Sequence, residues 1–279
     1  MAVVLITGCS SGFGLLSALH FARKGDTVFA SMRNTAKAGA LEEARDKEKL
    51  AIEVVQLDVT DEDSVKSAVR QVVDKAGRID VLVNNAGIGA HGAIEDTDDD
   101  EAKEIFETNF FGVLNVTRAV APIMREQKSG TIANVSSLAA VVTPPFSGIY
   151  AASKRALEAV GEALHYELHP FGIRMLLIEP GGFETSIESS NRMARRFTEG
   201  SPYIEIDQRF QEALTRLPAA EVRGDAQVVA EKIYDAVNDK EPKLRYLVGQ
   251  DAEMIGGLRR QTDDEQFEQA MRQSLDFWE

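Results

Sequence analysis

The chain has 279 residues, 44% of them hydrophobic and 27% charged, enough for one large α/β domain and cramped for two. A net charge of −14 argues against nucleic acid as a partner for the body as a whole, although a local basic socket for a phosphate stays compatible with it. The single cysteine, Cys9, excludes an internal disulfide and fits a reducing, cytoplasmic setting.

The opening run Ala2-Val3-Val4-Leu5-Ile6 is five residues long and lacks a basic leader. It is too short for a signal peptide or a membrane span and is expected to be a buried strand. Further β-rich runs cover residues 27–32, 52–57, 81–84, 130–135, 173–178 and 245–248, with helical patterns between them. Most are continuously apolar, as strands covered on both faces of a parallel sheet must be. The rhythm predicts a single domain over 1–279 with a doubly wound parallel sheet, and no internal repeat or linker interrupts it. Thr60-Asp61-Glu62-Asp63 reads as a helix start with Thr60 as the cap. Residues 183–220 break the rhythm. Phe183, Ile187, Met193, Phe197, Tyr203, Ile204 and Phe210 make this insertion too apolar for a solvated tail, and it is expected to be a helical lid over a substrate. Near the end, Thr262-Asp263-Asp264-Glu265 is a second capping signal. The stripe Phe267, Met271 and Leu275 that follows should pack on the body or on a partner subunit.

The first strand runs into Thr7-Gly8-Cys9-Ser10-Ser11-Gly12-Phe13-Gly14 and then a helix. Glycines at this turn permit close backbone approach to a pyrophosphate, and the free amides and dipole of the helix start favour the anion. The spacing is G-x-x-x-G-x-G. Gly8–Gly12 also matches G-x-S-x-G, which would make Ser10 the nucleophile of a serine hydrolase. Only seven residues precede Gly8, too few for the upstream oxyanion loop that a hydrolase needs, and His165 and His169 are the only late bases. Those two histidines have a zinc-like spacing, but Tyr166 stands where H-E-x-x-H requires Glu, and no metal is expected.

Thr7–Gly14, Asn84-Asn85-Ala86-Gly87, Tyr150-Ala151-Ala152-Ser153-Lys154 and Pro180-Gly181-Gly182 occur in this order. Together they resemble the short-chain dehydrogenase/reductase family over roughly residues 2–185. The likeness is greatest to the branch of 17β-hydroxysteroid and retinol dehydrogenases, through Gly8–Gly12 and Met32-Arg33-Asn34. The resemblance implies a Rossmann fold, a nicotinamide cofactor, and frequent assembly into homodimers or homotetramers. It makes Tyr150 the acid–base, with Lys154 beside it and Ser137 orienting the substrate oxygen thirteen residues earlier. Ser136 is the neighbouring alternative to Ser137. Asn109, a weak helix former inside a helical stretch, becomes the holder of a relay water. Cofactor contacts are implied at Gly8, Ser10, Ser11, Gly12, Phe13 and Gly14 in the first turn. Further contacts are implied at Asp58 and Val59, and at Asn85, Ala86 and Gly87. Tyr150 and Lys154 then face the nicotinamide side, where Pro180, Gly182 and Thr185 close over it; for Thr185 a cap on the lid helix is an equal alternative.

Tyr150 and Lys154 are four residues apart and share a helix face. A lysine charge about 4 Å from the phenol, at an effective dielectric of about 20, is worth roughly 4 kcal/mol and should pull a tyrosine pKa toward neutrality. Where NAD-specific relatives carry an acid at the end of the second strand, this chain has Met32 followed by Arg33. Arginine can grip the 2′-phosphate in a fork, so NADP(H) is expected over NAD(H), with Ser11 adding a hydroxyl; a solvated Arg33 with dual use is the alternative. Leu138, Val141, Val142 and Phe146, with the apolar insertion, point to a bulky hydrophobic ketone or alcohol such as a steroid, retinoid or aryl ketone. Arg192, Arg195 and Arg196 form either a solvated helix face or a site for an anion. The expected activity is NADP(H)-dependent interconversion of a carbonyl and an alcohol, against a catalytically silent NADP(H)-sensing protein or the Ser10 hydrolase.

Overall fold

A computed structural model describes residues 1–183, 191–216 and 224–277. Seven strands among them form one parallel sheet: β1 Val3–Ile6, β2 Thr27–Met32, β3 Ile52–Gln56, β4 Val81–Asn84, β6 Gly130–Val135, β7 Ile173–Pro180 and β9 Arg245–Val248. Two-residue strands, β5 Ala90–His91 and β8 Arg192–Met193, pair separately and in parallel. The large sheet runs β3-β2-β1-β4-β6-β7-β9, so the winding reverses between β1 and β4. In such sheets the crevice at the carboxyl ends of the two strands flanking the reversal is the place for a ligand.

Alternation along β1 shows why its sequence is apolar throughout. Val4 and Ile6 point into a core shared with Phe21 of α1 (Gly12–Arg23) and Ile233 of α8 (Gln227–Asn238). Leu5 points the other way, into a core with Val69 of α3 (Glu62–Ala76) and Val120 of α5 (Gly112–Gln127). A polar residue at any of the three would lie buried without a partner, which explains the continuous run.

The cap before α3 is Asp61, one residue later than the sequence suggested; its Oδ1 accepts from the amides of Asp63 and Ser64. Thr60 instead gives its amide and hydroxyl to Asp58. Before α10 (Asp264–Leu275), Asp263 forms a full capping box with Gln266. Leu275 and Met271 then pack with Phe277 and with Phe210 and Ala213 of α7 (Ile204–Thr215).

The insertion expected over 183–220 contains β8 and α7; Ile187 and Thr185 lie outside the described residues. Phe197 and Ala194 pack with Ala93, Phe146, Tyr203 and Ile204. Phe146 therefore sits between two aromatic groups, with ring centroids 5.7 Å from Phe197 and 6.3 Å from Phe210. No helix among the described residues is long and apolar enough to cross a membrane.

Candidate active site

The first turn folds as tightly as its glycines allow. Gly8 and Gly12 have φ of +74° and +56°, which side-chain-bearing residues seldom adopt. A Cβ on Gly8 would stand 2.8 Å from Ala86 Cα, and one on Gly14 would stand 2.4 Å from the Gly8 carbonyl oxygen. Asn85 seals this junction from β4: its side-chain amide donates to the carbonyls of Thr7 (2.9 Å) and Gly8 (3.2 Å). Thr7 Oγ1 accepts from the amides of Asn85 and Ala86, each at 3.0 Å. Gly8–Gly14 and Asn85–Ala86 are thus one fastened unit at the reversal point.

The helix that follows fits an anion. Ser11, the residue before α1, makes no side-chain cap, and no acid occupies the first turn. Amides at such an end want an external acceptor. Arg33 emerges exposed at the end of β2 and forms no hydrogen bond or ion pair with another described residue. Its neighbour Asn34 turns back to accept from Ala36 N. Asp58, half-buried after β3, accepts from Thr60 with Oδ1 and donates its own amide to Ser64 Oγ; Val59 beside it is buried.

A second group gathers where β6 ends. α6 (Gly148–Leu168) crosses this end and carries Tyr150, Ser153 and Lys154. Ser137, extended after β6, accepts from Ala139 N at 3.1 Å, and its hydroxyl lies near enough to the Tyr150 phenol to pull the phenol's pKa down. Ser136 faces away: it is buried, its amide bonds Ile178 O, and its hydroxyl has no partner among the described residues. Of the two candidates, the structure brings Ser137 to the tyrosine.

Lys154 is 4% exposed and donates to Val135 O at 2.8 Å. Burial pulls its ammonium down to about 8, against a smaller upward pull from Glu158. The expected effect of lysine on tyrosine is corrected here. Lys154 Nζ is 5.9 Å from the Tyr150 ring centroid and donates to Val135 O. Burial therefore decides, pushing the phenol above its ordinary value, with the Ser137 hydroxyl opposing.

Asn109 is fully buried, in a π-turn over Glu107–Phe111 that joins α4 (Asp99–Phe106) to α5. Its side chain reads the backbone of Ile88 at both ends, accepting from N and donating to O at 2.9 Å, and donates to Ser153 Oγ at 3.1 Å. Ser153 in turn donates to Tyr150 O at 2.7 Å. Such π-turns concentrate at functional sites. A Cβ on Gly87 would lie 3.2 Å from Asn109 Oδ1 and 3.6 Å from Lys154 Nζ, so this glycine keeps the space between them open.

Two contributors escaped the sequence reading. Ser153 lies inside the Tyr150–Lys154 motif, and its neighbours could have drawn attention to it. Asp251, following β9, accepts from Gly182 N at 2.6 Å and fastens the Pro180–Gly182 turn; a lone acid so far along the chain carries no signal.

The arginines of the insertion are not a helix face and do not gather at an anion site. Arg192 lies in β8 and pairs with Glu104 at 3.0 Å, Arg196 pairs with Asp98 at 3.1 Å, and Arg195 pairs with Asp100. All three dock the insertion on acids of α4 and of the residue before it. The Ser10 hydrolase also lacks its base. His20 engages Gln227 and Tyr234, His91 engages Asp207, and His165 and His169 lie near each other on α6 and its end, with tilted rings 6.4 Å apart.

The family model for short chain dehydrogenases matches residues 2–196. A 3-ketodihydrosphingosine reductase of Bacteroides thetaiotaomicron is 35% identical over 249 residues, covering 88% of this chain and 87% of its own. Bovine retinol dehydrogenase 8 is 40% identical over 189 residues, 66% of this chain and 60% of its own. A crystal structure of a short-chain dehydrogenase from Streptomyces avermitilis superposes with a TM-score of 0.80 at 32% identity, covering 98% of each chain.

Proposed function

The chain belongs to the short-chain dehydrogenase/reductase family, and from that premise we propose that it is an NADP(H)-dependent oxidoreductase reducing the carbonyl of a bulky hydrophobic substrate. The observation that carries this reading is the gathering of Ser137, Tyr150 and buried Lys154 at the end of β6, two strands along the sheet from a glycine turn suited to a dinucleotide.

Gly8–Gly14, with Ser10, Ser11 and Phe13, would hold the pyrophosphate; Asp58 and Val59 the adenine; and Asn85–Gly87 the neighbouring ribose. Lys154, which keeps two protons free beyond its bond to Val135 O, would hold the nicotinamide ribose. Pro180 and Gly182, fastened by Asp251, would lie over the ring, and Thr185 completes the proposed set from outside the described residues. When bound, the nicotinamide supplies hydride to the carbonyl carbon or takes it from the alcohol.

The chain's own groups handle the oxygen and the proton. Ser137 Oγ fixes the carbonyl oxygen, and Tyr150 delivers the phenolic proton to it as negative charge develops. A phenol held above its ordinary pKa retains that proton until the oxygen demands it, which suits reduction. Asn109 locks Ile88 and Ser153 and thereby aims Tyr150. The remaining lone pair of its Oδ1, open toward Gly87, can hold a water that refills the proton.

The apolar group around Phe146, with β8 and α7, would cover the substrate, and the names of the sphingosine and retinol relatives agree with an apolar one. Preference for NADP(H) rests on Arg33, exposed and unpaired among the described residues. Fluorescence titration of wild type and Arg33→Ala with NADPH and NADH tests it. The expected result is tighter NADPH binding in wild type that falls to the NADH level in the variant. Equal affinities in wild type would contradict the assignment.

A further inference from the structure

Lys154 is an ammonium with 4% of its surface exposed, held by one neutral carbonyl. A buried cation of this kind needs an anion near it, and one helical turn along α6, on the same face, stands the buried Glu158. Glu158 is itself 8% exposed. Its Oε2 accepts from Arg245 Nε of β9 at 2.9 Å, while its Oε1 is buried with no hydrogen bond among the described residues. A buried carboxylate with a vacant oxygen is costly for a structural ion pair and calls for an explanation.

The remaining charges around this pair are accounted for. Arg245 also reaches Glu162 at 2.7 Å on the solvent side and lies 3.9 Å from Glu179 of β7, which is 1% exposed. Burial and the neighbouring Glu158 charge push Glu179 above the ordinary carboxylate range, against the opposing pull of Arg260 of α9 (Gly257–Gln261) at 2.5 Å. Tyr150 faces Lys154 from the preceding turn, and Asn109, from the π-turn, is neutral. Three acids, Glu158, Glu162 and Glu179, thus share two arginines, Arg245 and Arg260, and the cluster keeps a negative charge beside Lys154.

Resting on the catalytic reading of Lys154 above, we propose that Glu158 is a positioning residue that supplies the buried counter-charge holding Lys154 in its cationic form, while Arg245 fixes Glu158 in place from β9. Without that anion, burial would discharge the lysine at a lower pH, and its grip on the ribose would go with the charge. The upward pull that Glu158 exerts on the lysine agrees with this role.

The sign of the effect separates the idea from simple loosening. Disruption that lets water reach Lys154 would raise its titration midpoint toward that of a free lysine, whereas loss of a counter-charge lowers it. The experiment is NMR titration of the protein carrying 13Cε-labelled lysine, with the Lys154 signal assigned by its disappearance in Lys154→Arg. Wild type should titrate near 8. Glu158→Gln should titrate about one unit lower. Glu158→Asp, which keeps the charge but withdraws it by one methylene, should lie between them, and Glu162→Gln should match wild type.

Carbonyl reduction should follow the same order, with Glu158→Gln roughly fivefold slower at pH 8 than wild type and nearly equal at pH 6. A midpoint in Glu158→Gln that stays put or rises would overturn the proposal. If that variant does not fold, an unchanged or raised midpoint in Glu158→Asp does so instead. A lowered midpoint in a protein that reduces no carbonyl would leave the counter-charge standing and remove the catalytic reading.

Discussion

Replacing Lys154 with methionine should make the resting protein more stable at neutral pH while abolishing its activity. The lysine is pulled from 10.5 to about 8 by burial, equivalent to about 3 kcal/mol spent on keeping a desolvated charge at pH 7. Methionine has nearly the same length and no charge, but it leaves Val135 O without its 2.8 Å donor, which costs about 1–2 kcal/mol. The charge effect wins, and the variant should gain about 1–2 kcal/mol at pH 7. The pH dependence gives the sharper signature. A lysine whose folded pKa lies below its unfolded one penalises folding fully below the folded value, and the penalty fades as pH rises from about 8 toward 10.5. Wild-type stability should therefore climb relative to the variant across that window, until by pH 10 the advantage of methionine has disappeared. Urea denaturation of both proteins at pH 7 and pH 10, without cofactor, measures this. A variant less stable at pH 7 by the same amount as at pH 10 would show that Lys154 carries no desolvation penalty, and would refute the reasoning.

Three further outcomes follow from the same contacts. Asn109→Leu strands the backbone N–H and C=O of Ile88 and the hydroxyl of Ser153; it should cost about 3–5 kcal/mol in denaturant unfolding, and a loss under about 1 kcal/mol would mean those groups are solvated. Gly14→Ala drives a methyl to within 2.4 Å of the Gly8 carbonyl and should weaken binding of reduced nicotinamide dinucleotide at least about tenfold, read by fluorescence quenching; unaltered affinity would show that the turn yields freely. Phe146→Ala opens the gap between Phe197 and Phe210, and should raise KM for bulky ketones more than for small ones in steady-state assays; equal changes would place Phe146 away from the substrate.

The sheet was legible because burial on both faces leaves a plain mark: seven apolar runs became the seven strands of the main sheet. Boundaries slipped where the mark is weak, as at β7, which continues two residues further to Pro180. β5 and β8 went unseen because two residues carry no period. The site was legible where chemistry imposes a fixed spacing within one element, as for Tyr150 and Lys154, or within one turn, as for Gly8 to Gly14. It was not legible where function depends on contacts between distant segments. The grip of Asn109 on Ile88, the clamp of Asp251 on Gly182, and the docking of Arg192 on Glu104 are all of this kind. The Tyr150 electrostatics failed for another reason: spacing supplies proximity to a charge but says nothing of burial, and burial decides the direction.

The most direct test of the account is consumption of NADPH by wild type and Tyr150→Phe in the presence of a panel of hydrophobic ketones, with NADPH affinity measured on both. Wild type should consume NADPH with at least one ketone, and the variant should lose nearly all turnover while binding NADPH as tightly. Turnover in Tyr150→Phe equal to wild type would show that the proton comes from elsewhere and would contradict the mechanism.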